Sequence, residues 1–177
     1  MDDSYIDSVL SGDTESFRYF IKTYKDMAFN LAVSIVKDDH YAEEVVQDAF
    51  MKAFNGLASF KRTARFKSWF YRIVVNESFQ RLKRIKKQHL TLDSEEIKSV
   101  SYEITEFGED YRMKQINEAL KLLPPKESLV LNLFYLEENS LKEVAEITGW
   151  TLSNVKVLLH RGRTGLRSSL ETSRRKN

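Results

Sequence analysis

Cysteine is absent from the chain, which removes disulfides and thiolate metal sites and suits a reducing compartment. Glycine and proline are scarce, six and two residues in 177. No segment alternates apolar and polar residues as a half-buried strand would, and helical periodicity recurs throughout, so the pattern predicts an all-α chain. No apolar run approaches the roughly eighteen residues of a membrane span. The opening MDDSYIDSVLSGD is acidic and has no apolar signal core, so a cytoplasmic protein without membrane insertion is expected. The three histidines, His40, His89 and His160, stand far apart without cysteine partners. No glycine-rich phosphate loop or nucleophile–base pair stands out. The expectation is therefore of no metal, no cofactor, no small-molecule substrate and no enzymatic activity.

What is present is apolar mass and unevenly placed charge. Hydrophobic residues make up 42% and aromatics 12% of the sequence, enough for one large or two small cores. The net charge is only +2, but Lys61 to Lys87 holds ten basic residues against Glu77 alone, and Asp93 to Asp110 holds seven acidic residues against Lys98. Such asymmetry points to anion-binding surfaces separated by an acidic connector.

Along the chain, Ser11 to Asp13 is a turn signal and Asp13 can open a helix carrying Phe17, Phe20, Ile21, Tyr24, Met27, Ala28, Leu31 and Ile35 on a core-facing stripe. Asp38 and Asp39 end it. The next helix starts at Asp39 or His40, buries Val45, Val46, Ala49, Phe50, Ala53 and Phe54, and leaves Glu43, Glu44, Gln47, Asp48 and Lys52 outside as a face for solvent or for a protein partner.

A basic loop, Ala58 to Arg65, precedes an aromatic and basic helix in which Trp69, Phe70, Ile73 and Val74 recur at core spacing. Phe60, Phe66 and Tyr71 are interleaved with Lys61, Arg62, Arg65, Lys67 and Arg72, a mixture suited to single-stranded nucleic acid, where rings stack on bases and cations meet the backbone. Arg81, Lys83, Arg84, Lys86 and Lys87 would extend that phosphate track, or simply end a helix whose dipole favours cations. Gln88 to Asp110 has weak periodicity and reads as a flexible linker with room for short helical turns.

A second domain begins near Tyr111. Ile116, Ala119, Leu120 and Leu123 form one helix face, Pro124 and Pro125 stop it, and Leu129, Val130, Leu133 and Phe134 turn inward in the next. In Leu141 to Arg163, Val144, Ala145, Trp150, Val155 and Leu158 close a small core, Ser140 and Glu143 form a capping box, and Gly149 supplies a turn. This is a helix-turn-helix layout. The outward face of its second helix carries Ser153, Asn154, Lys156, Val157, His160, Arg161 and Arg163, side chains fit for base edges and phosphates. A frayed basic tail, Arg174 to Lys176, follows.

Three motifs resemble the extracytoplasmic-function group of bacterial RNA polymerase sigma factors. They are SGD-x-x-x-F at Ser11 to Phe17 with DDHYAEEVVQDAFMKAF, then FKSWFYRIVVN at Phe66 to Asn76 with its basic run, and LPPKESLVLNLFYLE at Leu123 to Glu137 joined to the helix-turn-helix. The resemblance implies two small helical domains, residues 1–87 and 111–177, joined by a flexible linker at 88–110. It implies docking on the clamp of core RNA polymerase through Glu43, Glu44, Gln47, Asp48 and Lys52. Minus-ten recognition and melting would fall to Phe60, Lys61, Arg62, Arg65, Phe66, Trp69, Tyr71, Arg72, Asn76, Lys83 and Arg84, with a flipped base captured by the loop Ala58 to Arg65.

By the same resemblance, minus-thirty-five recognition would fall to the outward helix-turn-helix face, with the second domain resting on the polymerase flap. Promoter DNA, core polymerase and an anti-sigma protein clamped between the domains are the implied partners. Asn154 stands where the family often has Thr, Val157 and Leu158 where it has Ser-Arg, Gln80 where Asp is common and Ser128 where Arg is common, so the promoter sequence does not carry over. The rival reading is a sigma-like decoy that titrates an anti-sigma regulator without binding DNA.

Overall fold

The computed structural model describes residues 1–91, 116 and 118–176, and among them there is no strand. α1 (Asp2–Leu10) places two aspartates in its first turn, favourable for the helix dipole, and buries Ile6 and Val9. The sequence pattern marks only a turn after these residues, because a nine-residue helix that buries two side chains makes too short a stripe to register. After a 3₁₀ turn at Thr14–Phe17, α2 (Arg18–Val36) buries Phe20, Tyr24, Ala28, Leu31 and Ile35 along one face. Asp38 caps α3 (Asp39–Gly56) by accepting the Tyr41 N–H at 2.9 Å, so of the two expected starts, Asp39 and His40, the first is observed.

α4 (Phe66–Thr91) packs against both α2 and α3. Rings from all three meet: Phe20 and Phe66 have centroids 4.2 Å apart, and Phe50 and Phe70 4.6 Å. Burying each such side chain contributes about 1.5–3 kcal/mol, and aromatic pairing about 0.5–1.5 kcal/mol more. α4 continues four residues past the expected end of the first domain, so 88–91 are helix and not linker. The rest of the proposed linker, and the start of the second domain at Tyr111, lie outside the described residues.

The second domain resumes with α5, a short helical stretch at 118–122 that places Ala119 and Leu120 in the core, with Leu123 buried just after it. Pro125 then occupies the first turn of α6 (Pro125–Leu131), where its missing N–H costs nothing. A π-helical turn, Asn132–Leu136, ends this segment. The capping box of Ser140 and Glu143 is formed at the start of α7 (Leu141–Thr148), and Gly149 adopts φ +72° as the chain turns toward α8. α8 (Leu152–Lys176) stays helical through the stretch expected to fray. Gly162 brings α8 close to α6: a Cβ there would sit 3.0 Å from Leu131 Cδ1 and 3.2 Å from the Glu127 carbonyl oxygen.

The two domains pack against one another, α2 on α6 and α4 on α7. Sequence reading treated them as separate bodies, because much of this contact is polar. Lys37 Nζ donates to the Leu120 carbonyl at 2.7 Å, Lys121 pairs with Asp39 at 3.3 Å, and Asn132 Nδ2 donates to the Asn30 carbonyl at 3.4 Å. Helical periodicity finds apolar faces and is silent about such pairs.

Candidate nucleic-acid interface

The start of α8 is held by Thr151, whose hydroxyl accepts the Asn154 N–H at 3.2 Å. Val155, Leu158 and Leu159 turn into the domain, which leaves Ser153, Asn154, Lys156, Val157, His160 and Arg161 exposed together. Val157 is 47% exposed, unusual for a branched apolar side chain on a well-packed helix. Arg163 is exposed as well, but it is also tied back to its own domain. Its Nε donates to the Tyr135 hydroxyl at 2.6 Å and its guanidinium lies over the Tyr135 and Phe134 rings, so its cation is committed within the domain.

In the first domain the loop before α4 exposes Lys61, Arg62 and Arg65. Arg62 adopts φ +55°, a left-handed conformation costly for a side chain of this size, and donates to the Asp7 carboxylate of α1. That hydrogen bond holds the Asp7 carboxyl below the usual carboxylate range. Phe60 and Trp69, both half-buried, lie against each other with centroids 4.8 Å apart. They help line a cavity of about 430 Å³ together with Lys61, Arg72 and Glu146. A second cavity, about 690 Å³, lies between α1 and the loop, lined by Asp2, Asp3, Arg62, Arg65 and Phe66.

Two expected stacking residues are corrected. Phe66 is buried against Phe20 and Phe70, and Tyr71 is fully buried, so neither ring offers a face to a base in this arrangement. The interleaving of rings and cations along α4 is real, but the helix turns these two rings inward with the rest of its wide apolar face. Asn76, Lys83 and Arg84 are exposed as expected.

The outer face of α3 divides. Glu43, Gln47 and Asp48 are exposed. Glu44 pairs with Arg81 of α4 and with His40, and Lys52 with Glu77 at 2.6 Å, so these two also tie α3 to α4 or to its own first turn. Phe54, expected in the core, reaches 36% exposure and Met51 62%, giving the acidic face an apolar neighbour that sequence reading missed.

Domain packing adds residues that no motif singled out. Glu137, at the end of the π-helical turn, is buried with its carboxylate accepting from the Tyr71 hydroxyl and lying 3.4 Å from Lys67 Nζ. Arg72 donates to the Glu146 carbonyl, and Phe79 meets Trp150 at 6.1 Å. Burial, and then the hydrogen bond to Glu137, push the Tyr71 phenol far above its ordinary value, so it remains a donor. Lys37, half-buried at the domain junction and facing Lys121, is pushed down to about 7 by loss of water and then by that second cation. Nothing in the local sequence distinguishes Glu137 from its exposed neighbour Glu138; only the tertiary fold does.

On the second domain, a groove of about 620 Å³ runs between α6, the π-helical turn and α8, lined by Leu120, Leu131, Tyr135, Leu166 and Leu170. Among the described residues no cluster of metal-binding side chains occurs, and no helix is long and apolar enough to cross a membrane.

Comparison with known proteins places these features in context. Residues 20–88 match the family described as Sigma-70 region 2, and residues 113–166 match Sigma-70, region 4. The chain is 32% identical over 177 residues to the ECF RNA polymerase sigma factor SigW of Bacillus subtilis, covering 93% of this chain and 94% of that protein. It is 33% identical over 142 residues to RNA polymerase sigma factor SigV of the same organism, covering 80% and 82%. In fold it is similar to the sigma factor RpoE solved in complex with the anti-sigma factor NepR from Bartonella quintana. The TM-score there is 0.76, at 23% identity, over 89% of this chain and 98% of that one.

Proposed function

The chain belongs to the extracytoplasmic-function group of RNA polymerase sigma factors, and from that premise we propose how its surfaces divide the work of promoter recognition. A sigma factor binds core RNA polymerase, recognises promoter DNA and directs transcription initiation. It is an initiation factor and not an enzyme.

The helix-turn-helix reads the minus-thirty-five duplex through Ser153, Asn154, Lys156, Val157, His160 and Arg161. Lys156 and Arg161 suit guanine edges or phosphates, and the exposed Val157 suits a thymine methyl. The observation that carries this reading is the segregation of α8, which buries Val155, Leu158 and Leu159 and leaves those six side chains free on the other side.

The minus-ten strand is held by Phe60, Lys61, Arg62, Arg65, Trp69, Arg72, Asn76, Lys83 and Arg84. Taking a base out of the stack costs a few kcal/mol, and stacking on a protein ring returns roughly 1–3 kcal/mol per base. Phe60 and Trp69 are therefore sufficient in principle to offset one or two unstacked bases without any catalytic step. Polymerase docks on Glu43, Glu44, Gln47, Asp48 and Lys52, with Met51 and Phe54 supplying apolar contact beside them. The groove of the second domain suits an apolar helix of the polymerase flap. We infer a cytoplasmic setting and an anti-sigma protein as a further partner, on the precedent of the complex in which the similar RpoE was solved.

Transcription in vitro with a bacterial core polymerase and a randomised promoter library tests the function. Initiation from an enriched two-element sequence is the expected result. No promoter-directed initiation with any compatible core overturns the reading and favours the decoy.

A further inference from the structure

Part of α4, the stretch around Lys67, Tyr71 and Arg72, meets the second domain in this structure, and the residues that meet it are acidic. Glu137, Glu143 and Glu146 all belong to α7 or the turn before it. Glu137 faces Lys67 and Tyr71, Glu146 gives its carbonyl to Arg72, and Glu143 lies in the field of Arg65 and Lys67. We propose that Lys67 Nζ and Tyr71 OH form a binding site for a backbone phosphate of the opened DNA strand, occupied in the free chain by the Glu137 carboxylate. This rests on the reading of α4 as the strand-holding helix.

The geometry is that of a built anion site. The Glu137 side chain is 6% exposed, a burial that a carboxylate tolerates only with good partners. It has a hydroxyl donor in Tyr71 and a cation in Lys67, whose ammonium also lies 5.3 Å from the Tyr71 ring centre. A carboxylate and a phosphodiester present the same kind of anionic oxygen, and lysine with a hydroxyl donor is an ordinary phosphate-binding pair.

Glu137 is held in place by its backbone. Its N–H donates to the Asn132 carbonyl at 3.0 Å, and both the N–H and the side-chain amide of Asn139 donate to the Leu133 carbonyl at 3.0 Å. The acid thus enters as part of a stiff turn and leaves only when the second domain lifts from α4. Phosphate and Glu137 exclude each other, so strand binding and domain closure are linked with opposite sign. This reassigns Tyr71: its hydroxyl acts, and its ring does not stack.

The test uses the full-length chain and a short fluorescein-labelled single strand of mixed sequence, read by anisotropy without polymerase. Glu137→Gln weakens the internal competitor, and about tenfold tighter binding is expected from the loss of one charge-assisted contact. The log–log salt dependence should steepen by about 0.7, the increment for one more phosphate on a single strand. Adding Lys67→Ala should erase both changes, and adding Tyr71→Phe should reduce the gain to a few-fold.

Unchanged affinity in Glu137→Gln overturns the proposal, as does a gain that survives Lys67→Ala, which would mean that opening exposes other cations. Should Glu137→Gln fail to fold by circular dichroism, Glu137→Asp carries the same test. Its charge is kept but withdrawn from Tyr71 by one methylene, and a gain of a few-fold is expected, with no gain overturning the site. Promoter-directed transcription by the wild-type chain reads the underlying function separately, so failure of one is distinguishable from failure of the other.

Discussion

Replacing Gly162 with Ala sets two effects of opposite sign against each other. Inside an exposed helix this change ordinarily stabilises by about 1 kcal/mol, because glycine loses more backbone freedom on folding. At position 162 the new methyl would lie 3.0 Å from both Cγ and Cδ1 of Leu131 and 3.2 Å from the Glu127 carbonyl oxygen. Leu131 is buried and the carbonyl is backbone of α6, so neither can move without shifting the helix. Overpacking of this kind costs about 1–3 kcal/mol, so the net expectation is destabilisation of up to about 2 kcal/mol. Gly165 is a graded comparison: its Cβ would meet Leu123 Cδ2 at 2.7 Å, but that is a side-chain tip with no backbone atom beside it, so Gly165→Ala should cost less than Gly162→Ala although Leu123 is itself buried. Gly56, whose Cβ would stand 3.5 Å from Trp69, is the opposite control, with a gain of about 0.4–1 kcal/mol expected. Urea unfolding followed by circular dichroism ranks the three variants. A Gly162→Ala chain as stable as the parent would refute the close α6–α8 approach, and with it the positioning of the recognition helix.

Arg161→Ala combined with Lys156→Ala should weaken binding to a minus-thirty-five duplex and lower the salt slope by up to about 1.8 if both meet phosphate. Binding to core polymerase, measured in parallel, should stay intact; equal loss of both activities counts against separate surfaces. Asp48→Arg should impair core binding and leave duplex binding unchanged, and an unaltered core affinity removes the docking face. Lys37 gives a pH dependence. Burial, then Lys121, lowers its pKa to about 7 from 10.5, so between those values the unfolded chain holds a proton that the folded chain lacks. Stability should therefore rise with pH across that window, and Lys37→Met should flatten the rise in a urea series from pH 7 to 10.5.

How much was legible in the sequence depended on the range of the signal. The α3 start at Asp39, the Ser140–Glu143 box, the Gly149 turn and the inward stripe of α2, apart from Ile21 at 41% exposure, are local, set by side chains within a few residues of each other, and they stand where the pattern placed them. α4 was harder because its apolar face is wide: periodicity counted Phe66 and Tyr71 among rings interleaved with cations, and only the packing of α2 and α7 decides that both point inward. Phe54 failed in the other direction, spaced for burial but left on the rim. The junction between domains was invisible, since a lysine on a helix-end carbonyl and a carboxylate under a tyrosine have no spacing rule.

A chain with this many exposed cations faces a problem before it reaches polymerase, because chromosomal DNA competes for it at every position through phosphate contacts alone. The closed packing addresses the part of that surface where an opened strand would be held. Lys67, Tyr71 and Arg72 are satisfied by the second domain, whereas Lys156, His160 and Arg161 remain exposed on α8. On the proposed division of surfaces, the free chain would be left with its duplex-reading face but without full use of the strand-holding one. Moving such an equilibrium from one part in a hundred open to ninety-nine needs about 5.5 kcal/mol of differential binding. A nanomolar partner that engages only the separated domains has about 12 kcal/mol in total from which to supply it. Core polymerase, on the proposed docking at α3 and at the second domain's groove, would be a partner of that kind, and strand capture would then be conditional on holoenzyme assembly.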